Sequence, residues 1–260
     1  MTYNFHTHTK RCGHATGEAE NYVLRAIENN ITEMGFSEHI PHRFPDGHES
    51  YFRLPLSEVK DYFDEINFLR EKYKKQINIK IGFEMEYYPA YFEEMLKNAK
   101  AFGAEYLILG QHFIYSEVDD GVAAGRKSES VEGLEEYVNC VVAGIKSGVF
   151  TYVAHPDIFR FVGDDKIYYE KMKQICIVSK EYNVPLEINF LGIRNKRNYP
   201  YDKFWEIAGE IKCPVTFGFD AHDEDSAYDG DSLIKAKELV EKYSLNYIGK
   251  PEIVNINKEV

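Results

Sequence analysis

Cysteine is scarce and scattered: Cys12, Cys140, Cys176 and Cys213 form no C-x-x-C pair in the 260 residues. A disulfide-stapled scaffold and a paired-thiolate zinc site are therefore not indicated, and the thiols are expected to be reduced. Cys140, Cys176 and Cys213 stand among apolar residues and read as packing groups, whereas Cys12 lies close to several histidines and reads either as packing or as a ligand. Long apolar runs are missing too, since no stretch approaches the ~20 residues that would span a bilayer. The opening MTYNFHTHTK lacks a charged leader followed by an apolar segment, so a cytoplasmic location is expected. Basic charge is short: 31 Lys plus Arg face 43 Asp plus Glu, a formal net charge of −12. That balance repels phosphate backbones, and the densest basic cluster, Arg70 to Lys75, reads as the solvated end of a helix, so no nucleic-acid partner is expected. Neither a G-x-G-x-x-G after the first strand nor a P-loop is present.

What remains is the composition of a globular chain, 44% hydrophobic and 28% charged, far from the signature of disorder. Its length suits one α/β barrel, which commonly takes about 200–250 residues, so residues 1–260 are expected to form a single domain. Short apolar runs alternate with amphipathic stretches throughout. Strands are predicted at YNFHTH, EMGFSEH, INIKIGFEMEY, EYLILGQHF, TYVAHPD, VPLEINF, PVTFGFDAH and NYIGKPEIV. Between them fall helical patterns such as Ser57 to Lys75, which repeats Val59, Tyr62, Phe63, Ile66, Leu69 and Tyr73 on one side. Seven or eight such repeats predict a mostly parallel sheet covered by helices, with a barrel favoured over a doubly wound sheet. In such a barrel, loops at the C-terminal ends of the strands build the site.

The histidines concentrate at those ends. His6 and His8 are two apart, so both imidazoles leave the same face of a strand, as do the side chains of Asp220 and His222. His39, Glu84, His112 and His155 each stand at or just past the end of a separate strand. Any one of them alone reads as a core histidine bonded to a carbonyl. Six strands delivering ligands to one mouth is different, because burying that many titratable groups without a cation is costly. Neutral imidazoles with a few carboxylates suit Zn, Fe or Mn, whereas Ca or Mg prefers oxygens. The pattern predicts a site for more than one ion.

The segments NFHTHTKRCGHA, GFSEHIP, GFEMEY, GQHF, AHPD and FGFDAHD resemble, in order and spacing, the successive motifs of the PHP (polymerase and histidinol phosphatase) superfamily. The ending PLEINFLGIR…YP…GFDAHD resembles its histidinol-phosphate phosphatases. The resemblance implies a distorted (β/α)7 barrel holding three divalent ions. His6, His8 and Asp220 would bind one ion, Glu84 would bridge it to a second bound by His112 and His155, and His14, His39 and His222 would take the third. It further implies hydrolysis of L-histidinol phosphate to L-histidinol and phosphate, a step of histidine biosynthesis, with hydroxide held between ions as the nucleophile.

An acidic protein needs local cations to hold a phosphomonoester, and the arginine fork suits that task. Arg160 and Arg197 are the expected phosphate clamps by the same resemblance, with Arg194 as a further candidate beside Arg197. His42 reads either as a phosphate contact or proton donor, or as a loop histidine. For the ammonium and imidazole of the substrate the candidates are Tyr115, Glu117, Asp119 and Asp120. Glu86 shares a strand face with Glu84 and reads as support for a ligand or as a solvated rim group. Two other readings keep the metal centre: a phosphodiesterase acting on nucleotides or oligonucleotides, and a metal-binding domain without turnover. The first would want basic flanks, and the second would be expected to have lost ligands. An amidohydrolase would want a carbamylated lysine where Glu84 stands.

Overall fold

A computed structural model describes residues 1–118 and 121–258. Eight parallel strands follow one another in chain order: β1 (Tyr3–Asn4), β2 (Glu33–His39), β3 (Asn78–Met85), β4 (Tyr106–Leu109), β5 (Phe150–Val153), β6 (Leu186–Asn189), β7 (Pro214–Gly218) and β8 (Asn246–Tyr247). Helices α1 (Ala19–Glu28), α2 (Val59–Tyr73), α3 (Phe92–Phe102), α4 (Val131–Lys146), α5 (Asp165–Tyr182), α6 (Phe190–Arg194), α7 (Asp202–Ile211) and α8 (Gly230–Lys242) lie between them. All eight predicted strands are present; β2 spans its whole predicted run, and the others are shorter than theirs. The predicted helix at 57–75 is α2, entered through a 3₁₀ turn over Leu56–Glu58.

The sheet curls into a distorted barrel. Just beyond β1 and β7, Thr7 bridges Ala221 in parallel, with His8 N–H donating to Ala221 O (2.9 Å) and Ala221 N–H to His6 O (3.2 Å). Seven strands thus meet around the mouth, and the two-residue β8 adds to β7 near the opposite end, where Tyr3 Oη approaches Tyr247 Oη at 3.2 Å.

Strand alternation divides the interior in two. Outward-facing aliphatic and aromatic side chains join the helices in one large core, while Tyr3, Phe5, Tyr106, Ile108, Tyr152 and Ala154 form a separate cluster inside the barrel. Tyr106 needs space there: a Cβ on Gly82 would sit 2.6 Å from its ring, so only glycine fits that strand position. Caps fix the helix starts, with Ser130, Asp164 and Asp229 accepting the N–H groups of Gly133, Ile167 and Ser232. No helix among the described residues is long and apolar enough to cross a membrane.

Candidate metal centre

The β2–β3 register places His39 directly opposite Glu84 and so begins the site. His6, His8, Glu84, His155 and Asp220 are each 4% exposed or less. With His14, His39, His112 and His222 they converge on the mouth, where the main cavity of about 720 Å³ opens. Two of the nine stand on left-handed backbone, His155 at φ 32° and Asp220 at φ 48°. Such conformations cost about 1–3 kcal/mol each and persist only where surrounding bonds impose them. Here Glu187 accepts the N–H of His155 (3.1 Å), while Arg194 donates to Phe219 O (2.6 Å) and to Asp220 O.

The spacing of the donors is diagnostic. Nε2 of His6 lies 3.4 Å from Glu84 and 3.5 Å from Asp220, and Nε2 of His8 lies 3.3 Å and 3.5 Å from the same carboxylates. His39 Nδ1 and His112 Nε2 stand 3.3 Å and 3.4 Å from Glu84. These separations exceed an N–H···O hydrogen bond of about 2.7–3.2 Å. They match the edge of about 3.3 Å between two donors each ~2.0–2.1 Å from a tetrahedral ion. Closer approaches are made by His155 Nε2, at 2.9 Å from Glu84, and His222 Nδ1, at 3.2 Å from Asp220. His6 Nε2, both ring nitrogens of His8, His39 Nδ1, Glu84 Oε2 and Asp220 Oδ1 are buried with no hydrogen-bond partner. Buried polar atoms are rarely left in this state.

Four of the imidazoles are turned toward the centre by a bond at the other nitrogen. His6 Nδ1 meets Glu187 at 2.8 Å and His112 Nδ1 meets Glu86 at 2.9 Å. His14 Nδ1 and His222 Nδ1 lie at 2.8 Å and 3.1 Å from the carbonyls of Cys12 and Asp220. Donation to those carbonyls leaves the Nε2 lone pairs of His14 and His222 facing each other across 3.0 Å, a contact that calls for a cation between or beside them.

Charge divides the cluster further. Burial disfavours the imidazolium of His6, yet Asp220, Glu187 and Glu84 prevail and hold its pKa up at about 10. His8 and His112 are raised against burial by the same kind of carboxylate neighbours. His39, His14 and His222 are lowered, first by burial and then by charged histidines nearby. Glu84 and Asp220 stay ionised in spite of burial, because the histidines surround them. One side therefore offers anionic oxygens and the other offers neutral nitrogen lone pairs, a donor set that fits divalent transition metals.

The remaining predicted residues separate. Arg197 lines the cavity and donates to Tyr199 Oη at 3.1 Å. Arg194 also lines it, but its fork is committed to the backbone that carries Asp220. Arg160 is exposed and lies outside the lining of the main cavity. His42 is buried against Phe44 and Tyr91, outside that lining, with neither ring nitrogen bonded. Tyr115 lines a different surface pocket, and the Glu117 side chain, 4% exposed, pairs with Arg53. Asp119 and Asp120 lie outside the described residues. Cys12 has its sulfur within 4.8 Å of ring nitrogens of His8 and His222, and burial and then Glu38 push its thiol up to about 11.

Sequence reasoning missed Glu187, Glu38 and Arg53. Glu187 bonds His6, and Glu38, fully buried, accepts from Thr9 N–H at 2.5 Å and faces His8 Nδ1 at 3.7 Å. A signal existed for both: each is a carboxylate within a predicted strand, EMGFSEH or VPLEINF, where burial requires a partner. Glu86 is buried and bonded to His112 rather than solvated at the rim.

A parallel α/β barrel with a cluster of histidines and carboxylates at the C-terminal mouth defines a class, the metal-centred barrels. The PHP domain family matches residues 4–190, and the chain belongs to it. It is 25% identical over 225 residues, covering 84% of this chain and 85% of the relative, to a Deinococcus radiodurans protein named "Probable histidinol-phosphatase". It is also 25% identical to the histidinol-phosphatase of Lactococcus lactis, over 99% of this chain and 96% of that one. The crystal structure of the Lactococcus lactis histidinol phosphate phosphatase complexed with zinc, L-histidinol and phosphate superposes with a TM-score of 0.72 at 22% identity, covering 99% of each chain, which establishes the shared fold.

Proposed function

We propose that this chain is a metal-dependent phosphomonoesterase that hydrolyses L-histidinol phosphate to L-histidinol and inorganic phosphate. The observation that carries the reading is the set of unbonded buried donors spaced 3.3–3.5 Å apart around Glu84 and Asp220. The names of the relatives point to the same substrate. Three ions of Zn, Fe or Mn would be held as the resemblance implies: His6, His8 and Asp220; His112 and His155, linked to the first by Glu84; and His14, His39 and His222. When bound, such ions supply Lewis acidity and lower the pKa of water toward neutrality.

The chain's own residues do the rest. Glu187 and Glu86 fix the ring orientations of His6 and His112. Arg197, free at one guanidinium edge, would meet the phosphate with a bidentate fork. Phe52 and Phe113, stacked at 5.8 Å on the cavity wall, offer an apolar face for the imidazole. Asp223, the carboxylate outside the donor cluster among the described residues lining the cavity, would receive the ammonium. Because the donors run from His6 to His222, the site draws on nearly the whole chain, in keeping with one catalytic domain over residues 1–260.

The test is phosphate release from L-histidinol phosphate beside bis(p-nitrophenyl) phosphate and a short oligonucleotide, with Mn, Zn or Fe returned to chelator-stripped protein. A kcat/KM of about 10⁴ M⁻¹s⁻¹ or more for histidinol phosphate alone is expected. Turnover of the diester or oligonucleotide with little of the monoester would overturn the substrate assignment in favour of a phosphodiesterase.

A further inference from the structure

Arg53 plays no part in the reading above, yet it is among the most deeply buried charges in the molecule, 2% exposed. It lies on the segment between β2 and α2 and reaches three separate parts of the mouth. Nη2 donates to Glu86 Oε2 at 2.7 Å, and the other oxygen of that carboxylate bonds His112 Nδ1 at 2.9 Å. Nε donates to Glu117 at 2.6 Å, in the loop that follows His112. Nη1 donates to the carbonyl of Ile40, the residue after His39, at 3.1 Å. A fourth tie runs beside it, Leu54 N–H to His39 O at 3.2 Å. The guanidinium also stands 5.0 Å from the ring of its neighbour Phe52, which faces the cavity.

This arrangement is poor economy for stability alone. Two carboxylates have been buried against one cation, and replacing such a cluster with apolar residues is often neutral or stabilising. What the guanidinium does supply is geometry, since its planar fork fixes three acceptors in one plane in a way that a single ammonium cannot. All three acceptors sit within one residue of a predicted ligand or on a side chain bonded to one, or in the loop that directly follows His112.

We propose that Arg53 is a positioning residue for the metal centre: through Glu86 it sets the orientation of His112, and through Ile40 O and Glu117 it braces the ends of β2 and β4 against each other. The proposal rests on the metal-centre reading and assigns Arg53 no contact with substrate. Loss of the fork frees His112 to rotate about its side-chain bonds, so the ion on that side is held more weakly while donors remote from Arg53 are unaffected.

The experiment is cobalt(II) titration of chelator-stripped protein, followed by d–d absorption, with bound metal counted after gel filtration. Arg53→Met is expected to weaken one position by about 10–100-fold, the range for loss of a ligand's supporting bond, while the remaining ions bind as in the parent. Arg53→Lys is expected to recover most of that affinity, because an ammonium reaches Glu86 but cannot span all three acceptors. The double variant Arg53→Met/Glu117→Gln removes one uncompensated buried charge and carries the test if the single variant does not fold. Folded Met-containing variants that bind every cobalt with parental affinity would overturn the role of Arg53. A parent that binds no cobalt would instead overturn the metal-centre reading, and the count tells the two failures apart.

Discussion

The floor of the barrel and its mouth are built from the same strands, yet they treat polar atoms in opposite ways. At the floor, Tyr106 Oη donates to Phe5 O at 2.9 Å, and Tyr3 Oη meets Thr216 Oγ1 at 2.9 Å and Gly249 O at 2.8 Å. Tyr152 Oη is the one hydroxyl of that cluster without a partner. At the mouth, the six ring nitrogens and carboxylate oxygens named above, from four strand ends, have none. The floor is what a chain does when folding alone decides. The mouth holds groups whose partner is not part of the chain, and stability is given up there for function.

The largest effect is expected from breaking the mouth at its centre. Glu84 is the carboxylate shared by His6, His8, His39, His112 and His155. Glu84→Gln keeps the shape but halves the anionic donors, and phosphate release is expected to fall on the order of 10³-fold, the scale of losing one key electrostatic contact. Circular dichroism should still report a folded barrel. Activity within tenfold of the parent would remove Glu84 from the centre and with it the contrast between the two ends.

Glycines allow the same small change to be made at either end. A Cβ on Gly35 would sit 2.8 Å from Tyr106 Cζ and 3.0 Å from Phe5, both rigid rings packed inside the floor. One on Gly110 would sit 2.6 Å from the Glu84 carboxyl carbon, the end of a flexible side chain. Gly35→Ala is therefore expected to cost about 1–3 kcal/mol by overpacking, seen as a lowered Tm with or without metal. Gly110→Ala should leave the Tm of stripped protein nearer the parent's and lower metal affinity by tenfold or more, seen by cobalt titration. Equal Tm losses in both variants, with metal affinity untouched, would show that the two ends are under the same constraint.

The succession of strands and eight of the donors that converge at the mouth are written in local pattern, whereas His14 came only with the resemblance to the PHP motifs. Period-two spacing puts His6 with His8, and a run such as IGFEMEY announces a strand that ends in an acid. The supporting residues were less legible for a physical reason. Glu187 and Arg53 act on residues 181 and 59 positions away, His6 and His112, and nothing in local pattern encodes that distance. Arg194 illustrates the same limit: it was readable as a phosphate candidate, but its bonds to Phe219 O and Asp220 O follow from how the end of α6 packs on β7. Likewise Tyr115 and His42 belong to loops whose course the alternation of strands and helices does not set.

The smallest effect concerns the packing behind the mouth, two residues past His155, where Asp157 is 1% exposed and accepts from Tyr201 N–H at 2.6 Å and Trp205 Nε1 at 2.9 Å. Burial pushes its carboxyl up to about 7, with those hydrogen bonds opposing only in part. In the unfolded chain an aspartate ionises near pH ~3.9. As pH rises from about 4 the unfolded chain releases this proton first, so the stability associated with protonated Asp157 is full below about 4, is lost progressively, and is gone once the pH has risen through about 7. Asp157→Asn keeps an acceptor for both donors and removes the titration. The Tm of the variant relative to the parent is therefore expected to climb by several °C between pH 4 and pH 8 in stripped protein, since 1 kcal/mol moves Tm by about 2–4 °C at this size. A difference that stays flat over that range would mean that Asp157 is ionised throughout. The packing behind the mouth would then tolerate an unpaired buried charge as the mouth itself does, and the contrast with the floor would extend beyond the metal donors.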